Sequence, residues 1–355
     1  MSKIILLVII CAINAFPLKY VHFSASGSGA LDGTDIDNEY PDDSEKVYFE
    51  TKFDTNTVVY IRGTGFTQPD EIDFTDRDAT KDYPCKIIFL KNSCTNSGEN
   101  VTPSDYATDT TEAYVDQGGY GFSCGDYTDI INPMVKGTGQ YTIRMGQYST
   151  IRGAICRNGT ATVSYPVIQM AVGCAIDSSI IISDSSRGVG FVGAGEINGC
   201  KIKCMNKRNG TIGIFTAYTY SATAHNTKII GFSKGFVYGI GSYLTICKYN
   251  TIYDPDTGVH IDTTGTYGIR VYDNIIYTNG ASSVGVFSSG IRNNNRFLNN
   301  NIYSSGGGTA YINVPTTGPF SDYLLDETDP GFVNAAVDSF QVTGASLNTG
   351  TGSPQ

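Results

Sequence analysis

Histidine occurs only at positions 22, 225 and 260, and the last of the three stands among groups that could do chemistry with it. In Val259-His260-Ile261-Asp262 the imidazole and the carboxylate alternate along an extended segment, so both project to one side if Val259 and Ile261 face a core. Asp254 and Asp256 precede them and Arg270 follows, in the same or the next strand. An imidazole that moves a proton, a carboxylate beside it and a guanidinium that holds an anion are parts of general acid–base catalysis. His260, Asp262 and Arg270 are therefore the expected catalytic set if the chain is an enzyme, with Tyr253, Asp254 and Asp256 as expected ligand contacts. The plainer reading of the same residues is a solvated strand face.

Other groups carry weaker signals. Residues 32–54 hold nine Asp and Glu, which could bind Ca²⁺ through oxygen ligands, but the spacing is not that of a calcium loop and a solvated segment is the first reading. No other cofactor is implied, and no metal ligand set is assigned. The nine cysteines lie at 11, 85, 94, 124, 156, 174, 200, 204 and 247. Eight remain if the first residues are removed, which fits disulfides in an oxidising compartment; small buried core thiols are the equal alternative. With 24 Lys+Arg against 34 Asp+Glu the net charge is -10, which argues against nucleic acid as a partner.

The elements that position these residues announce themselves as a repeat. Asn-x-Ile-Tyr occurs at Asn250, at Asn274 and, as Asn300-Asn301-Ile302-Tyr303, at intervals of 24 and 26 residues, with Asn226 another 24 upstream. Each period holds short strands such as 258–262 and 283–287, separated by Gly, Asn and Ser clusters. A chain that turns three times per period and stacks each turn on the last makes a parallel β-helix, all-β and without hairpins. Asn226, Asn250, Asn274 and Asn300 are expected to form a structural ladder at one corner, their amides bonding along the axis. Residues 140–325 should be regular coils, 16–139 an N-terminal cap with first irregular coils, and 326–355 a closing segment and tail.

The first fifteen residues read as a secretory signal, a basic start, an apolar run and Ala15 before Phe16-Pro17. That run is too short to span a membrane, and no other segment approaches the needed length. A secreted or extracellular location follows, with a virion surface as the alternative.

At this point the sequence resembles the right-handed parallel β-helix, pectin-lyase-like superfamily, in particular β-helix-repeat proteins of bacteria and their phages. The resemblance is carried by Tyr20-Val21-His22-Phe23-Ser24 with Asp32-Gly33-Thr34, by Thr57 to Gly65, by the Asn-x-Ile-Tyr coils and by Asp329-Pro330-Gly331-Phe332 with Asp338 to Val342. It implies a single-stranded right-handed β-helix and spans most of the chain. The superfamily includes polysaccharide lyases, hydrolases, tailspikes and adhesins, so fold leaves function open. The polygalacturonase pattern is missing, since the only Asp-Asp is Asp42-Asp43 and no Gly-His-Gly exists. The expectation is a non-catalytic structural, adhesive or glycan-binding protein with a polysaccharide or cell-surface glycan as partner, and homo-oligomers are allowed. The alternative is a polysaccharide lyase or glycoside hydrolase using the coil around His260.

Overall fold

The computed structural model describes residues 18–24, 57–68, 72–74, 79–82, 84–117, 122–138, 140–159, 165–184, 186–262, 266–290, 294–314, 332–334 and 339–342. The signal-like segment, Cys11 and the acidic run at 32–54 lie outside these residues.

Three parallel sheets wind about one core in about nine turns. Sheet 1 contains Gly195–Asn198, Thr223–His225, Ile246–Lys248, Arg270–Tyr272 and Arg296–Leu298. In the same coils sheet 2 contains Lys201–Cys204, Lys228–Ile230, Thr251–Tyr253, Ile275–Thr278 and Asn301–Ser304. Sheet 3, of ten strands, includes Pro166–Met170, Arg187–Val192, Ile212–Ala217, Lys234–Tyr238, Thr257–Ile261 and Val284–Ser288. The coils run in this order from Lys19–Ser24, which pairs in register with the first half of Thr57–Gln68. A longer excursion at 91–112 carries two short 3-10 turns. Phe332–Asn334 pairs antiparallel with Ser339–Val342, apart from the coils.

Stacking aligns like with like. Ile202, Ile229, Ile252, Ile276 and Ile302 lie over one another on the inner side of sheet 2, and Ile214, Phe236, Val259 and Val286 do so on sheet 3. All are buried in one continuous core. Fully burying each such side chain contributes about 1.5–3 kcal/mol.

The corner from sheet 1 to sheet 2 is a single left-handed residue in eight successive coils: Asn132, Gly153, Ser178, Gly199, Asn226, Tyr249, Asp273 and Asn299, all with φ between 48° and 64°. Asn and Gly tolerate this conformation best, which accounts for their frequency there. The residue that follows points inward. In the last coils it is Asn250, Asn274 and Asn300: Asn250 Nδ2 donates to Asn274 Oδ1 at 3.1 Å, and Asn274 Nδ2 donates to Asn300 Oδ1 at 2.9 Å. Asn226 is not in this run. It occupies the left-handed corner one residue earlier, and Thr227 holds the inward position, its N–H donating to Asn250 Oδ1 at 3.0 Å. An unequal loop shifts the register by one residue between those coils, which spacing by asparagines conceals. Below Thr227 the inward column continues through Cys200 and Ser179.

The eight described cysteines are all buried, as thiols and not as disulfides. They are small core residues spread over successive coils, and burial pushes the thiols of Cys124, Cys200 and Cys247 up to about 12. The disulfide expectation therefore fails for these eight.

Candidate functional site

The outer face of sheet 3 is assembled by register. Arg144, Gln169, Gly190, Phe215, Val237, His260, Phe287 and Ile312 succeed one another on adjacent strands, one per coil. The next column over runs through Arg187, Ile212, Lys234 and Thr257. Gln169, Phe215, His260 and Phe287 are half-buried, and Arg144 is exposed.

His260 packs against the Phe287 ring at a tilt of 31°, their centroids 4.9 Å apart. Burial, and then the ammonium of Lys234, push its pKa down to about 4, with Asp262 opposing the shift. The imidazole is consequently neutral at physiological pH, with a proton-accepting nitrogen. Arg187, three coils lower, stacks its guanidinium 4.3 Å over the ring of Phe215, two coils lower. Burial lowers its pKa, and its buried Nε has no hydrogen-bond partner among the described residues. Arg144, Arg187 and Lys234 make no ion pair with a described carboxylate. Three cations elsewhere do, Lys136 with Asp116 at 2.8 Å, Arg157 with Asp184 at 2.9 Å and Lys207 with Asp256 at 2.9 Å, whereas Arg152, Lys228 and Lys248 resemble the sheet 3 cations in this respect.

At its lower end the face opens into a cavity of about 420 Å³, at the corner where sheet 3 passes into sheet 1. Arg144, Gln169, Asp126, Gln147, Met145 and Val192 line it. Asp126 Oδ1 accepts from the Gln147 N–H at 2.6 Å, so the carboxylate is held toward the cavity wall. A guanidinium, a carboxylate and two amides around an apolar floor match the hydroxyls and carboxylates of a sugar ring.

The residues that sequence grouped around His260 are dispersed over three faces. Asp262 follows the same strand and interacts electrostatically with His260. Arg270 begins a strand of sheet 1, where its neighbours are Ile246 and Arg296. Tyr253 is on sheet 2, stacked on Tyr277 at 5.1 Å. Asp254 and Asp256 sit at the corner between sheets 2 and 3. Lys207 Nζ lies 2.9 Å from Asp256 Oδ1 and donates to the Asp254 carbonyl, and Asn279 Nδ2 donates to Asp254 Oδ1 at 3.0 Å. No group of three or more His, Cys, Asp or Glu placed to hold a metal ion occurs among the described residues.

Sequence reasoning missed Lys234, Arg187, Phe215, Phe287 and Arg144. Their only signal is the stacking interval, since Val237 and His260 are neighbours across 23 residues and His260 and Phe287 across 27. A second polar assembly, on sheet 1, was also missed. His225 Nε2 is 2.5 Å from Glu196 Oε1, and Asn226 Nδ2 reaches His225 Nδ1 at 3.1 Å and Asn198 Oδ1 at 3.0 Å. Both ring nitrogens of His225 are thereby engaged, and none is left for a substrate.

Neither a family model nor a curated protein matches this chain. Among solved structures it is similar to pectate lyase Pel9A, with a TM-score of 0.60 and 13% identity over 94% of this chain and 86% of that one. An alginate lyase from Paenibacillus sp. str. FPU-7 aligns with a TM-score of 0.34 and 12% identity over 84% of this chain and 99% of that one. The chain has the pectin-lyase-like right-handed parallel β-helix fold.

Proposed function

We propose that this protein is a polysaccharide lyase that lays an acidic, uronate-bearing chain along the outer face of sheet 3. The observation that carries the proposal is the set of cations on this face, Arg144 in one column and Arg187 and Lys234 in the next, without carboxylate partners among the described residues and beside the rings of Phe215, His260 and Phe287, in a protein of net charge -10. Cations without carboxylate partners suit an anionic ligand, and ring faces suit the apolar faces of sugars. The likeness to a pectate lyase fold supports the same reading.

In an elimination of this kind the proton beside the uronate carboxylate leaves to a base, the carbon–oxygen bond to the next sugar breaks, and a carbon–carbon double bond forms between the two carbons. Lys234 is placed to neutralise the substrate carboxylate, which makes the adjacent proton acidic. The neutral imidazole of His260 is the base. A bound carboxylate would offset the Lys234 charge and raise the basicity of His260. The polysaccharides concerned lie outside cells, in keeping with the secretory layout of residues 1–15.

The test is ultraviolet detection of unsaturated ends released from polygalacturonate, alginate and neutral polysaccharides, with wild type, His260→Ala and Lys234→Ala compared. Product that falls at least a hundredfold in both variants is expected. A folded wild-type protein that releases nothing yet retains acidic glycan on affinity electrophoresis would replace this reading with a non-catalytic glycan-binding one. The contact of His260 with Phe287 favours that second reading, because a poorly solvated imidazole packed against a ring is a weak base.

A further inference from the structure

We infer that the corner joining sheet 3 to sheet 1 is the seat of a second copy of this chain, packed rod against rod. The inference rests on the fold and is independent of the catalytic reading.

Twelve large hydrophobic residues are exposed among those described, and eight of them gather on this corner: Tyr148, Val172, Val192, Tyr218, Tyr220, Ile240, Leu244 and Tyr267. They follow one another through six successive coils, about 25 Å along the axis at the strand spacing. Tyr218 is 71% and Tyr220 63% exposed. Tyr220, Tyr243 and Tyr267 bridge in parallel, with the first two rings stacked at 5.0 Å, so the ridge is rigid before any partner arrives. A rigid ridge loses little side-chain entropy on docking.

Charge distinguishes this corner from the one between sheets 2 and 3. Residues 145–149, 171–173, 192–194, 217–222 and 239–245, which form it in five coils, contain no Asp, Glu, Lys or Arg, and charge returns only at its ends, with Asp262 in the coil of Tyr267 and with Asp126 and Arg144 at the cavity. The corner between sheets 2 and 3 carries Lys207 and Arg208 in one coil and Asp254 and Asp256 two coils on. Depletion of charge with enrichment of tyrosine is the composition of an interface core. It also lets two chains of net charge -10 meet without placing like charges in contact. Eight large residues, each 40–71% exposed along one ridge, make a surface on the order of the several hundred Å² that mark interaction sites on monomers. The five uncharged segments hold no cation to receive an acidic polysaccharide, which is why a protein surface is the favoured occupant. Because Val192 also lines the cavity at the foot of sheet 3, a docked copy would stand beside that cavity's mouth.

The experiment is light scattering of the full chain after gel filtration, from low to high micromolar concentration. Wild type is compared with a Tyr218→Asp, Ile240→Lys double variant and with Met205→Asp, an exposed apolar residue on the charged corner. Circular dichroism verifies that each variant folds. Wild type and Met205→Asp should run at twice the chain mass, and the double variant at the single-chain mass, at least tenfold weaker in association. A single-chain mass for wild type throughout would overturn the inference, as would association that survives the double variant. Monomeric wild type combined with loss of glycan binding in the double variant would reassign the ridge to polysaccharide.

Discussion

Gly235 and Ile252 touch across the core so closely that no side chain fits between them. A methyl group on Gly235 would overlap Ile252 Cγ2 and lie 2.6 Å from the Gly258 carbonyl oxygen. The same contact recurs up the rod, with Gly188, Gly213, Gly258 and Gly285 against Ile202, Ile229, Ile276 and Ile302. These glycines are needed for close approach of sheets 3 and 2.

Gly235→Ala should therefore destabilise by about 1–3 kcal/mol, the usual cost of overpacking a filled core. Gly159→Ala is the control, since a methyl there meets only Asp184 Oδ2 at 3.5 Å and Thr138 Cγ2 at 3.7 Å. Denaturant titration of both variants checks this, and equal midpoints would refute the close-packing account.

The Asn274 side chain has six hydrogen-bond partners, among them the Tyr272 carbonyl at 3.0 Å and Cys247 Sγ at 3.6 Å. Its Oδ1 accepts from the Asn250 N–H at 2.9 Å and from Asn250 Nδ2, while its Nδ2 donates to the Cys247 carbonyl at 2.9 Å and to Asn300 Oδ1. Asn274→Ala should cost about 3 kcal/mol or more, because buried partners on both sides lose their bonds at roughly 1–3 kcal/mol each. Asn226→Ala, at the half-buried corner, should cost only about 1 kcal/mol, chiefly through the left-handed φ. Similar losses in the two variants would return Asn226 to the ladder.

The folded protein holds His260 near pKa 4 against an ordinary value of 6.5. A depressed histidine pKa means that the unfolded chain takes up a proton at higher pH than the folded one. Stability is accordingly unaffected above pH 6.5, declines as pH falls from 6.5 toward 4, and levels below that. His260→Gln should flatten this decline in denaturation midpoints measured from pH 7 to 4. In an NMR titration the His260 ring should respond near pH 4, and Lys234→Met should move the midpoint upward.

Thiol chemistry tests the core. In the native state the eight described cysteines should resist a thiol-specific chromogenic reagent, since the thiols are buried and several are pushed to about 11 or 12. All eight should react once the chain is unfolded without any reductant. Fewer reactive thiols under those conditions would mean that disulfides form after all.

Much of the architecture is legible along the chain because a β-helix repeats its own environment. Asn250, Asn274 and Asn300 echo at near-constant intervals since each coil poses the same corner problem, and Val259 and Ile261 alternate with His260 since a strand has period two. Alternation tells which residues share a side, but it does not tell which of three sheets they are on. Tyr253 and His260 are seven residues apart, yet the corner at Asp254 to Asp256 sends them to different faces. Arg270 is likewise carried to sheet 1. Conversely, Arg187, Phe215, Lys234, His260 and Phe287 meet only because coils of unequal length are brought into register. The stacking interval on sheet 3 varies between 21 residues, from Gln169 to Gly190, and 27, from His260 to Phe287, so local sequence holds no record of these encounters. Side-chain neighbours across the stack, the glycine–isoleucine contact, the one-residue offset of Asn226 and the uncharged ridge were therefore decided by tertiary packing, where strand hydrogen bonding sets the register and the core sets the facing.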